Sequence, residues 1–277
     1  MTAIALLASC TNEMDSDGTL PQASQEIEMT VTIVEGTRAL TTCENGLFNT
    51  TLQKGDLVGV HLLYGAIGES PIYDPMNVKY KVSEKGKLIS LGKPIKFPKT
   101  EGYSLVAYYP YKEEYDPAYE KKYFTVRADQ TSDEDFELSN FMNFSVALTP
   151  ETLNSIPLKF TSRIAMASLT LTEKETEGLK AAYINVYLTG GMEMQGGRPN
   201  FVTQGDIASV KMHKMEDGLY AAFVPAQKVS TSSPLFTLEY ADGSVKQILP
   251  NSPMLMNVAT VTELRIGKNH NVVMKGE

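Results

Sequence analysis

Tryptophan is absent from this chain, cysteine occurs twice and histidine three times. Two cysteines close one disulfide at most, so stability must come from burial. His61, His213 and His270 stand apart from one another and from any Cys or carboxylate at zinc-ligand spacing. His61, inside an apolar stretch, reads as a packing residue at a sheet edge or under a loop. Positive charge is outnumbered: 25 Lys and Arg against 33 Asp and Glu give a net charge of -8. That balance argues against a nucleic-acid partner. No P-loop, G-x-S-x-G elbow or dinucleotide fingerprint occurs, and no acid–base set suggests a hydrolase. The chain therefore reads as non-enzymatic, without cofactor or metal. No apolar run approaches the length of a membrane-spanning helix.

What is present begins with Leu7-Ala8-Ser9-Cys10, a short apolar run ending in small residues and a cysteine. This is the pattern of a bacterial lipoprotein signal over residues 1–10. The Cys10 thiol would take the lipid, and small residues would give the peptidase access. No Lys or Arg precedes the run, which points to a translation start upstream of Met1. With Cys10 lipidated, Cys43 is the remaining thiol. Residues 11–26 are acidic and Ser-rich, as expected of a flexible tether.

The body opens at residues 27–33 with strict apolar–polar alternation, the mark of a half-buried strand. Thr, Val, Tyr and Phe then recur in short runs divided by Gly, Pro and Asp. Glu84-Lys85-Gly86-Lys87 predicts one hairpin turn and Asp242-Gly243 another. Residues 173–179 alone look helical. From 128 to 152 the pattern loosens, which predicts a boundary between an N-terminal β-sandwich, 27–152, and a C-terminal one, 153–277. Gly190-Gly191 and Gly196-Gly197 bracket an expected hairpin loop. The acids Asp129, Asp133, Glu134, Asp135 and Glu137 lack the spacing of a calcium loop and read as a solvated face. Six tyrosines fall between 108 and 123. Two readings of them stand: packing under loops, or rigid faces for a sugar or host protein, with Tyr115 and Tyr119 as the contacts.

The order of several segments resembles a known family. A lipobox and acidic tether lead to a first strand ending in Gly36-Thr37-Arg38-Ala39. Lys54-Gly55-Asp56-Leu57-Val58-Gly59-Val60 and Val106-Ala107-Tyr108-Tyr109-Pro110-Tyr111 follow, then Leu158-Lys159-Phe160 and Leu264-Arg265-Ile266-Gly267-Lys268. Together these resemble the fimbrillins, lipoprotein subunits of type V pili. The resemblance implies an all-β fold of two tandem transthyretin-like β-sandwich domains and export to the outer membrane and cell surface. It also implies a lipid anchor, and assembly with other pilin subunits by donor-strand exchange after a protease cuts at Arg38-Ala39 and releases residues 27–34. Thr161 stands where many members carry a histidine, and the Ile-x-x-Trp ending of many members is not found. These departures favour a tip or anchor subunit that accepts a strand without donating one. The alternative is a surface adhesin or glycan-binding lipoprotein on the same scaffold.

Overall fold

Alternating side chains send one face of each strand inward, and the result is almost entirely β. The computed structural model describes residues 25–33, 40–44, 46–64, 72–73, 76–98, 102–115, 123–149, 155–195 and 198–275. Cys10, Arg38, Ala39 and Tyr119 lie outside the described residues.

The first large sheet is antiparallel throughout. Its order is Thr161–Ser162, Met142–Ala147, Tyr103–Tyr109, Leu57–Tyr64, Val78–Val82 and Leu88–Ser90, with Ile72–Tyr73 also on Leu57–Tyr64. Its inward side chains include Val58, Val60, Leu62, Tyr80, Val82 and Leu105. They meet a thinner second layer that carries Ile27, Met29, Ile95, Phe97, Ile156 and Leu158. The Ser83–Lys87 turn is the hairpin expected from sequence, closed by Ser83 N–H to Lys87 O at 2.9 Å.

A second core lies between two further sheets. One runs His213–Glu216, Leu219–Val224, Ala165–Thr170, Val261–Ile266, Val272–Met274, with Ala165–Thr170 parallel to Val261–Ile266. The other runs Arg198–Lys211, Leu179–Gln195, Phe236–Tyr240, Val245–Ile248, and Tyr123–Thr125 adds to Leu179–Gln195. Gly190 and Gly191, expected in a loop, instead lie within the Leu179–Gln195 strand. A Cβ on Gly190 would stand 2.3 Å from the Cβ of Pro225, so the glycine permits a close backbone approach. Gly196 and Gly197 fall outside the described residues.

The stretch expected to be a loosened linker is ordered. It holds a helix, Asp133–Glu137, capped by the Ser132 side chain accepting from Asp135 N–H, and the strand Met142–Ala147. The helix is too short for periodicity to reveal, and Phe136 pins it against Phe223 at 4.6 Å between ring centroids. The brief helix near 173 is also present, as Glu173–Thr176.

A hairpin of Leu40–Glu44 and Leu47–Thr51 ties the first core to the second. Phe48 meets the Phe223 ring edge-on at 5.3 Å, and Gly46 O accepts from Val261 N–H at 2.8 Å. At its base runs a polar chain: Asn140 donates to Thr50, Thr50 to Thr41, and Thr41 to the Glu137 carboxylate at 3.0 Å. Glu137, expected on a solvated face, is buried here at 9% exposure. Burial pushes its carboxyl up to about 7, the Thr41 hydrogen bonds pull it down, and the Asp56 and Asp133 carboxylates add to the rise.

The folded-state value lies above the unfolded one, so this group's effect on stability is absent below about pH 4.5. It becomes destabilising as pH rises to 7, by about 3 kcal/mol at most. Glu137→Gln should therefore flatten the fall in thermal stability between pH 5 and pH 8. Equal pH dependence in both proteins would show that Glu137 titrates normally.

Candidate functional site

Residues 25–33 are held by backbone pairing on both sides, antiparallel on one and parallel on the other. Ile27, Met29, Val31 and Ile33 point one way and Glu28, Thr30 and Thr32 the other, with Ile27 and Met29 at 2% and 0% exposure. The regular strand is only Met29–Thr30, flanked by single bridges from Glu26 to Lys96 and from Ile33 to Leu52. On one side the segment runs antiparallel to residues 86–97. Ile27 N–H donates to Ile95 O at 3.0 Å, Val31 N–H to Gly86 O at 2.8 Å, and Phe97 N–H to Gln25 O at 3.1 Å. On the other side the pairing is parallel, Met29 opposite Ile156 and Thr30 opposite Pro157. There Glu28 O accepts from Ile156 N–H at 2.9 Å and Thr30 O from Leu158 N–H at 2.8 Å.

The segment thus fills a slot between two backbone edges, above an apolar floor. Emptying the slot would uncover the main-chain groups on both edges and the side chains beneath. Each buried side chain is worth about 1.5–3 kcal/mol, and each net hydrogen bond about 0.5–1.5 kcal/mol. A strand of the same alternation, from any source, would satisfy the same groups. Gly86 is shaped to this slot: its φ is +74°, and an added Cβ would lie 2.2 Å from Val31 O.

Of the residues singled out from sequence, Arg38 and Ala39 belong to the stretch 34–39, between the last bridged residue of the slot segment, Ile33, and the tying hairpin. Tyr115 stacks face to face on Tyr108, centroids 3.8 Å apart and planes 10° off parallel. One of its faces is therefore occupied, and it packs against the second core. Tyr108 and Tyr109 are buried. His61 is a packing residue, as expected, but in mid-sheet between Tyr103–Tyr109 and neighbouring strands, its ring 5.8 Å from Tyr115. His213 caps the Asp133–Glu137 helix region, with Nδ1 3.0 Å from Thr131 O and its ring 4.8 Å from Phe136. Among the described residues no group of three or more His, Cys, Asp or Glu could hold a metal ion.

Sequence reading missed the tying hairpin, although Asn45-Gly46 is a strong two-residue turn signal, and Gly46 has φ +72°. It also missed the slot's walls. Residues 95–97 pair by a single bridge and isolated hydrogen bonds, and 156–157 by a two-residue strand, both too short for any periodicity.

A model of the fimbrillin-like family matches residues 37–276. No curated protein matches the chain. Among solved structures, a proposed cell adhesion protein of Bacteroides uniformis superposes at TM-score 0.56 with 19% identity, over 90% of this chain and 96% of its own. Another, from Bacteroides ovatus, gives TM-score 0.55 with 16% identity, over 92% and 96% respectively. At such identities the likeness is one of fold. The family match, by contrast, takes in most of the sequence, from the tying hairpin to the last described strand. The chain belongs to the fimbrillin-like family, whose members are structural proteins and not enzymes.

Proposed function

We propose that the chain is a lipoprotein pilus subunit that joins its neighbours by strand exchange. In this reading Cys10 carries the lipid and anchors the precursor to the outer membrane. A protease then cuts at Arg38-Ala39, residues 27–34 leave their slot, and a strand from another pilin subunit enters. The carrying observation is the slot itself: a short segment bonded on both edges, apolar on one face, and joined to the rest of the chain through residues 34–39. Its parallel edge supports the reading, since parallel pairing is slightly weaker per residue than antiparallel. The hairpin after the cut supports it too, because its contacts with the second core do not involve the slot segment.

Mass spectrometry of membrane-extracted protein tests both parts. A chain beginning at Ala39 is expected in polymer and one beginning at lipidated Cys10 in precursor; an unmodified Cys10 still preceded by Ser9 would sink the lipoprotein part. In vitro, protein cut after Arg38 should bind an apolar dye and associate with pilin subunits once residues 1–38 are displaced. If a chain deleted for 11–38 were as stable as the full chain and stayed monomeric beside other pilins, strand exchange would be wrong. The expected tip or anchor position is tested in the same mixture, where a terminal subunit accepts a strand but does not extend the polymer.

Gly86→Ala should loosen the slot segment in the uncut chain, because the added methyl collides with Val31 O at a positive φ. The expected cost is about 1–3 kcal/mol in thermal or urea unfolding, with faster cleavage after Arg38. Unchanged cleavage with unchanged stability would contradict the tight fit.

A further inference from the structure

The net charge of -8 conceals a local excess of the opposite sign. Between residues 78 and 99 stand seven lysines and one acid, Glu84. The hairpin of Val78–Val82 and Leu88–Ser90 places Lys81 opposite Ile89 on its outer face. Ile89 and Leu91 there are 54% and 53% exposed. Beside them, among the described residues, opens a groove of about 800 Å³. A second hollow of about 690 Å³ borders it, and Leu91 lines both.

Three lysines of this face are engaged in ion pairs: Lys54 with Glu84, Lys79 with Glu113 at 2.9 Å, and Lys87 with Glu28 at 3.4 Å. Lys81, Lys85, Lys93 and Lys96 line the two hollows without a carboxylate partner among the described residues. Four ammonium groups along a concave track attract an anion more strongly than the same charges on a flat surface. The larger groove also offers ring surfaces: Pro94, Pro98, Tyr103 and Tyr111 line it, and the Lys79 ammonium stands 4.5 Å above the Tyr111 ring.

The groove's backbone is already committed. Leu91 N–H donates to Lys79 O at 2.9 Å, Ile95 N–H to Tyr80 Oη at 2.8 Å, and Phe97 N–H to Gln25 O at 3.1 Å. A peptide strand would find these donors taken, so recognition falls to side chains: ammonium groups for anions and flat rings for the body of the ligand. Two hollows in series suit a linear chain of rings rather than one small molecule.

We propose that this track binds an acidic oligosaccharide, its carboxylate or sulfate groups on Lys81, Lys85, Lys93 and Lys96 and its sugar rings against Tyr103 and Tyr111. The proposal does not rest on strand exchange and concerns the uncut chain, in which Glu28 and Thr30 of the slot segment help line the second hollow.

Titration calorimetry on the full chain at about 0.15 M salt tests it, with four probes. These are a heparin-derived hexasaccharide, a hyaluronan hexasaccharide, neutral maltohexaose and hexaglutamate. At least one acidic sugar should bind, with maltohexaose silent and hexaglutamate about tenfold weaker or more. Lys93→Glu with Lys96→Glu should weaken the acidic sugar at least about tenfold, whereas Lys228→Glu with Lys246→Glu should leave it within about twofold. Tyr111→Leu, which leaves the charge intact, should weaken it about fivefold. Silence of both acidic sugars overturns the proposal. So does hexaglutamate binding as tightly as either, an equal loss in the Lys228 and Lys246 variant, or no effect of Tyr111→Leu, since each shows that charge alone is read. Thermal melts of every variant confirm folding, and the exposed lysine changes should not alter them.

Discussion

The whole first core depends on one constraint: backbone groups at two edges must be satisfied by a segment that is barely a strand. Residues 86–97 and 156–158 each present donors and acceptors to the slot, and residues 25–33 answer both at once while burying Ile27 and Met29. Neither wall pairs with the other. Without an occupant the thinner layer over the first core has no middle, and Val58, Val60 and Leu62 lose much of their cover. The fold is therefore complete only when something with a period of two lies in the slot, and the slot reads that period rather than particular side chains.

The second core is built differently. Long strands, aromatic pairs and a buried helix face hold it, and the Leu40–Thr51 hairpin pairs and packs there without help from the slot. The polar chain from Asn140 through Thr50 and Thr41 to Glu137 lies where the hairpin, the helix and the first sheet converge. A raised carboxyl at such a junction is a cost that the hydrogen bonds reduce without removing.

Much of this was legible in the sequence wherever a strand was long enough to show its period. The hairpins at Ser83–Lys87 and Asp242-Gly243 followed from turn chemistry between short strand-forming runs. The slot's occupant was legible from its alternation. Its walls were not, because two or three residues carry no period and their pairing is set by distant partners. Gly190 and Gly191 misled because glycine marks a turn in isolation, whereas here Pro225 demands the missing side chain. Glu137 misled because its neighbours Asp133 and Glu134 do face water, whereas the Leu40–Thr51 hairpin covers Glu137 at the helix's end, where Thr41 donates to it. The basic track was masked by the overall sign of the charge; it shows only when lysines are counted by segment.

The short connection between slot and hairpin also has a kinetic meaning. Residues 34–39 keep the occupant beside its own slot, and a short tether gives a segment an effective concentration on the order of millimolar at the site it can reach. A free strand of equal affinity, present at micromolar levels, would lose that competition by roughly a thousandfold. Under the proposed strand exchange, the intact chain would thus be its own competitive inhibitor. The proposed cut of a single peptide bond in that connection would abolish the advantage without altering one contact in the slot.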